Sequence, residues 1–306
     1  MASKEADFFN RLFSEMPKQE GTEHDFAQER KQNAARQKPA CPETVRLEPV
    51  TINGIGGEKL TNQSGKRRED RVILYIHGGG FTTGAAEERR EITYDLCETY
   101  GFTVYANNYR LAPEHPWPAG FDDTYAFYKG LIGEVNPSTL YLMGESAGGT
   151  LVLSVALQAE ADGVPQPAGI AAFSACTNQA DQLPSHVNNI ETDTMLGDAV
   201  NSEGQYKAVF GSAHPDRALL TGPIVSPYFG DYRLLPPIFL SASDNEVLLD
   251  DSVVLYEKLT KEHHPCMLDI QKDVFHAYPM FPMVPEARET LDRAVSFLDK
   301  TSGVKA

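Results

Sequence analysis

Ser146 stands in Gly144-Glu145-Ser146-Ala147-Gly148, between a short apolar run, Ser138-Thr139-Leu140-Tyr141-Leu142-Met143, and a helix-length apolar stretch from Thr150 to Ala161. A strand that turns sharply into a helix leaves no room for side chains beside the turning residue, so glycines flank it and the serine hydroxyl projects above the sheet as a nucleophile. Gly-x-Ser-x-Gly also recurs by chance, and a second motif gives it weight. His77-Gly78-Gly79-Gly80 follows directly on Arg71-Val72-Ile73-Leu74-Tyr75-Ile76, another run with buried-strand character. Consecutive glycines let backbone N–H groups approach a substrate oxygen closely. The amides of Gly79, Gly80 and Ala147 together predict an oxyanion hole, and with Ser146 they predict acyl transfer.

These groups need a scaffold, and the chain supplies one by alternation. From residue 71 onward, strand-like runs at Val72–Ile76, Phe102–Asn107, Leu140–Met143, Gly169–Phe173, Ile238–Ser241 and Met267–Gln271 alternate with helix-length segments. That pattern predicts an α/β fold with a mostly parallel sheet flanked by helices. Upstream, Phe8, Phe9, Leu12, Phe13 and Met16 recur at helical spacing and must dock on something. Thr44–Ile52 alternates as an antiparallel edge strand, and Gly54, Gly56 and Gly57 read as the turn that follows it. Between Thr177 and about Pro223 the chain is polar and irregular, with a helix expected around Asp198–Phe210. The expected organisation is an N-terminal helical arm over residues 1–42 and a catalytic domain over 43–300. Its cap insertion, at about 178–223, is mainly helical.

The chain has 306 residues, 41% hydrophobic and 23% charged, which suits one globular core with insertions. It holds no run approaching the ~18 apolar residues a bilayer crossing requires. The start, Met1-Ala2-Ser3-Lys4-Glu5-Ala6-Asp7, lacks the apolar stretch of a secretory signal, so a cytoplasmic protein with no membrane association is expected. A formal net charge of −16 argues against a nucleic-acid partner, and Lys66-Arg67-Arg68 is too short to reverse that. The four cysteines, Cys41, Cys97, Cys176 and Cys266, show no metal-ligand clustering and read as buried free thiols.

Three motifs in order, His77-Gly78-Gly79-Gly80-Phe81, Tyr109-Arg110-Leu111-Ala112-Pro113-Glu114-His115-Pro116-Trp117-Pro118-Ala119 and Gly144-Glu145-Ser146-Ala147-Gly148-Gly149, carry a likeness. The chain resembles the bacterial hormone-sensitive-lipase-like carboxylesterases of the α/β-hydrolase superfamily over residues 45–300. The resemblance implies a serine esterase acting on short acyl chains with no cofactor and no metal. It also implies a cap built from the N-terminal segment and an insertion, and a homodimer through the last strand and helix. Arg110 and Glu114 are expected to form a supporting ion pair.

The chain order of this fold places the base after the last strand, which selects His276 from the eight histidines. His263 and His264 read as surface residues, His186 and His214 fall in the cap, and His77 holds the glycine loop. The acid is less plain, because Ser243-Asp244-Asn245-Glu246-Val247-Leu248-Leu249-Asp250 stands where many relatives carry Asp-Pro-Leu-x-Asp. Anchoring on Leu248 and Asp250 puts the acid on Glu246, with Asp244 the alternative and Asp250 steadying the next helix. The same triad attacks amides and acetylated small molecules, so an amidase or small-molecule deacetylase is a second reading. A non-catalytic ligand-binding protein, as in the plant gibberellin receptors of similar fold, is a third that His276 weighs against. Tyr206, Phe210, Tyr228 and Phe229 are candidates for an acyl pocket or for ordinary cap packing.

Overall fold

The computed structural model describes residues 2–15, 25–68 and 70–301. Among them eight strands form one sheet: β1 (Val45–Ile52), β2 (Ile55–Asn62), β3 (Val72–Ile76), β4 (Thr103–Asn107), β5 (Leu140–Glu145), β6 (Gly169–Phe173), β7 (Ile238–Ser243) and β8 (Cys266–Gln271). Their order is β1-β2-β4-β3-β5-β6-β7-β8, antiparallel from β1 to β4 and parallel from there on. The helices are α1 (Lys4–Ser14), α2 (Phe26–Ala35), α3 (Arg90–Glu98), α4 (Ala119–Leu131), α5 (Ala147–Ala161), α6 (Ser185–Asn188), α7 (Glu203–Phe210), α8 (Arg217–Leu220), α9 (Leu249–Lys261) and α10 (Pro285–Thr301). No described helix is long and apolar enough to cross a membrane.

Strand side chains alternate between faces, and both faces are covered. Leu74, Ile76, Leu142, Ile170 and Leu240 share one core with Leu131 of α4, Leu151 of α5 and Leu255 of α9. Ile73, Tyr75, Tyr141, Phe173 and Phe239 share the other with Leu96 of α3 and Leu291 of α10. Such continuous apolar runs form strands rather than helices because they are short and bounded by turns. The two sided cover leaves the carboxyl ends of β3, β5, β7 and β8 along one edge of the molecule, where ligands of open α/β sheets bind.

The structure redraws several elements. Asn53 and Gly54 make the turn at positive φ, while Gly56 and Gly57 belong to β2, which the sequence pattern does not reveal. A Cβ on Gly57 would lie 2.3 Å from the Ala106 carbonyl oxygen, so close strand approach, not turning, requires that glycine. In the cap, α7 begins only at Glu203, where Ser202 caps it. His264 is buried, with Nε2 3.0 Å from the Pro236 carbonyl, contrary to its expected surface place; His263 is exposed. Cys97 and Cys176 are buried, but Cys41 is exposed and Cys266 half-buried, because the last two lie on peripheral segments.

The apolar arm helix docks as its spacing demands. Phe9 and Phe13 of α1 meet Phe275 and Phe281 with ring centroids 4.7–5.9 Å apart, while Phe8 faces outward. Met16 lies outside the described residues. Ser3 caps α1 through Ala6 N–H and gives both its own N–H and its hydroxyl to Glu286 of α10, each at 2.7 Å. Arg30 of α2 donates to the Thr82 carbonyl at 2.7 Å and pairs with Glu114.

Candidate active site

Ser146 sits between β5 and α5 with φ 55° and ψ −124°, a conformation that costs a non-glycine residue about 1–3 kcal/mol. The surrounding packing holds it there. Its N–H donates to Phe173 of β6 at 2.8 Å and its carbonyl accepts from Thr150 at 3.0 Å. A Cβ at Gly148 would come within 2.0 Å of the Ile76 carbonyl oxygen, so the helix meets β3 only because that residue is glycine.

The glycine loop leaves β3 against this elbow. A Cβ on Gly78 would lie 2.9 Å from that of Ser146. Gly79 has φ 113°, open to glycine alone, and its carbonyl takes the N–H groups of Thr82 and Thr83 at 3.0 and 2.9 Å. That turns the loop over and leaves the amides of Gly79, Gly80 and Ala147 without a partner among the described residues. His77 holds the loop, as its motif predicts. Its Nδ1–H donates to the Gly78 carbonyl at 2.8 Å and its ring stacks on Tyr109 at 4.2 Å. Burial, reinforced by the Arg89 charge, pushes its pKa down to about 3, so the ring stays neutral.

Glu145, which the motif reading passes over, ties these pieces together. Its buried carboxylate accepts Gly78 N–H at 2.6 Å, Tyr75 hydroxyl at 2.5 Å and Arg89 Nε at 2.5 Å. The x of Gly-x-Ser-x-Gly is thus charged because it anchors the first glycine of the loop. The sequence signal was a carboxylate inside an otherwise apolar strand end.

Beyond β7 and β8, at the same carboxyl end of the sheet as Ser146, Glu246 and His276 meet. Glu246 Oε2 lies 2.5 Å from His276 Nδ1, and Glu246 Oε1 accepts Ser243 N–H at 2.8 Å. Glu246 is 1% exposed and His276 3%. A carboxylate partner makes Nδ1 the protonated nitrogen and leaves the Nε2 lone pair to accept a proton. Burial opposes charge on both groups: it raises the Glu246 pKa against the pull of His276. On His276 burial acts downward, but the hydrogen bond and charge of Glu246, with Asp193 and Glu145 beyond, carry its pKa above 6.5. Asp244 points elsewhere, accepting Asp273 N–H at 2.8 Å.

Other expectations are corrected. Arg110 pairs with Asp123 at 2.7 Å rather than with Glu114, whose partner is Arg30. The loop's two charges thus serve separate anchors, one to α4 and one to the arm. Asp250 lies in the first turn of α9, where its charge suits the helix start, without a side-chain cap bond there, and it also accepts Ser185 N–H from the cap at 2.8 Å. His186 is buried on Asp251 at 2.6 Å, and His214 is exposed. Tyr206 donates to the Gln179 carbonyl at 2.5 Å and Phe210 packs 6.3 Å from Trp117, while Tyr228 and Phe229 pack edge to face at 5.2 Å. Among the described residues no three His, Cys, Asp or Glu side chains converge as a metal site requires.

A sequence profile of the alpha/beta hydrolase fold matches residues 73–280. An acetyl-hydrolase of Streptomyces hygroscopicus is 31% identical over 242 residues, 78% of each chain. An esterase of Acinetobacter venetianus is 27% identical over 256 residues, 83% of this chain and 82% of that one. A structure of EstE5 soaked with p-nitrophenyl butyrate superposes with a TM-score of 0.87 at 29% identity, covering 99% of this chain and 100% of that one. An esterase from the bacterial hormone-sensitive lipase family does so at 0.85 and 27%, with the same coverage.

Proposed function

Since the chain belongs to the α/β-hydrolase fold family and is an esterase of its hormone-sensitive-lipase-like branch, we propose that it hydrolyses short-chain acyl esters through Ser146, His276 and Glu246. The observation that carries this reading is the buried contact of 2.5 Å between Glu246 and His276, at the same end of the sheet as a strained serine and three unpartnered amides. His276 Nε2 takes the Ser146 proton as the hydroxyl oxygen attacks the ester carbonyl carbon. The Gly79, Gly80 and Ala147 amides receive the oxyanion. The carbonyl re-forms, the carbon–oxygen bond to the alcohol breaks, and His276 returns the proton to the departing alkoxide, leaving an acyl-Ser146 ester. Water, deprotonated by His276, attacks that ester, and Ser146 leaves with the proton. Glu246 stays ionised throughout and holds the imidazolium.

Glutamate suits this position because a triad acid orients and stabilises the imidazole without taking its proton, so one additional methylene is tolerated where the backbone adjusts. The short-chain assignment rests on the relatives: one is named acetyl-hydrolase, and EstE5 was soaked with a butyrate ester. The first of those names also favours a second reading, removal of an acetyl group from a small molecule. Comparing an acetylated amine with p-nitrophenyl acetate separates the two.

The test is hydrolysis of p-nitrophenyl acetate and butyrate. Ser146→Ala is expected to lower turnover by about 10⁴–10⁶-fold and Glu246→Gln by about 10⁴-fold, while Asp244→Asn stays near wild type. Full activity in Glu246→Gln together with loss in Asp244→Asn would transfer the acid to Asp244. No wild-type turnover on either ester would reject the esterase reading.

A further inference from the structure

The cap grips the loop that carries Glu246 at several points, and one peptide unit is held from both of its edges. Asn189 Nδ2 donates to the Glu246 carbonyl at 2.9 Å and to the Asp244 carbonyl at 3.0 Å. Asp193 Oδ2 accepts Val247 N–H at 2.9 Å. The Glu246 carbonyl and the Val247 N–H are the two sides of a single planar peptide group, so the cap holds that plane from both edges. A proline at 247 would have no N–H to give.

The grip is itself rigid. Asp193 is 1% exposed, and its other oxygen accepts the N–H groups of Met195 and Leu196, both at 2.9 Å. The Asp193 N–H returns to the Asn189 carbonyl at 2.8 Å, closing the two residues into one turn. Around it, Ile190, Leu196 and Val200 of the cap pack on buried Val247 and Leu248. Within the catalytic domain the Glu246 carbonyl also accepts Leu249 N–H, at the longer distance of 3.2 Å, whereas the Val247 N–H has its partner in the cap; among the described residues Glu246's own carboxylate meets Ser243 N–H and His276.

We propose that Asn189 and Asp193 are positioning residues for the triad acid, so that the cap insertion completes the catalytic triad as well as covering it. The proposal rests on the assignment of Glu246 as the acid. A glutamate reaches farther than an aspartate, and its carboxylate swings with the tilt of its backbone. Fixing the peptide plane beside it fixes where that carboxylate meets Nδ1. Misplacement of about 1 Å in such a support costs on the order of 10²-fold in rate.

A double-mutant cycle on the full chain tests this. Asp193→Ala and Asn189→Ala are each expected to lower kcat on p-nitrophenyl acetate by about 10–100-fold with KM changed by less than about threefold. In a Glu246→Gln background neither is expected to lower kcat further, because the group they position no longer acts. A loss of the same size in both backgrounds would overturn the proposal, since a general structural defect does not depend on residue 246. Wild-type kcat in Asn189→Ala and Asp193→Ala would overturn it too. If Glu246→Gln alone retained wild-type activity, the acid assignment would fail and this inference with it, an outcome distinct from either of the others. Thermal unfolding of each variant identifies any that does not fold, and Asn189→Ala, which leaves the buried carboxylate in place, then decides alone.

Discussion

In the proposed mechanism His276 works as a base only when neutral, so its protonation sets the low-pH limb of activity. In the free protein burial depresses its pKa, and the Glu246 bond and charge overcome that and carry it above 6.5. As pH falls through that raised value the ring gains a proton, Nε2 loses its lone pair, and kcat/KM declines. The acid limb is therefore expected above pH 6.5. In Glu246→Gln the largest raising influence is gone while burial remains, so the residual activity should carry its limb to lower pH. A limb that stays put in that variant would mean that Glu246 does not face the imidazole. The positions of Ser146, His276 and the three amides, which the proposed mechanism uses, were legible in the sequence because motif spacing and strand order fix them. Glu246 was set ahead of Asp244 there only by anchoring on Leu248 and Asp250, since both follow the same strand and the turn after β7 decides which carboxylate faces His276. Glu145 and Asp193 escaped altogether, because the backbone N–H groups they accept, and for Glu145 also Tyr75 and Arg89, are brought near by folding and leave no mark on sequence spacing.

The elements show a similar division. Strands β3 to β8 were readable as apolar runs bounded by turns, and only their ends moved. β2 was not, because its Ile55-Gly56-Gly57-Glu58 start has turn chemistry and becomes strand by pairing with β1 and β4. The arm's apolar spacing announced a docking face without its target, and the target turns out to be the loop bearing His276. Phe9 packs tilted and Phe13 edge-on against Phe275, the residue before His276. Phe9→Ala should therefore destabilise the fold by about 1–3 kcal/mol, while Phe8→Ala, at an exposed position of the same helix, should change it by less than about 0.5 kcal/mol. Urea unfolding of the two variants checks this. Equal effects would show that α1 does not dock through that face.

At the scale of the whole molecule the two edges of the sheet differ in how they meet solvent. The β1 edge carries Pro49, which cannot donate to a further strand, and the charged pair Arg46 and Glu48. The β8 edge has no such protection along its middle: Met267 is 39% exposed and Ile270 41%, and the one acid between them, Asp269, is turned inward to Thr290 and Arg293. An unblocked edge with exposed apolar side chains is a pairing surface, and a second copy of this chain offers the same surface in return, as a two-fold interface requires. The overall charge of −16 opposes association at low salt, so pairing through β8 should strengthen as salt screens it. Light scattering is expected to give twice the 33.7 kDa chain mass at physiological ionic strength. Met267→Lys, which places a charge on each side of the two-fold axis, should return the monomer mass without loss of esterase activity, because β8 contributes its far end, not this edge, to the site. A wild-type protein that remains monomeric across salt concentrations would leave β8 a bare edge and remove the homodimer.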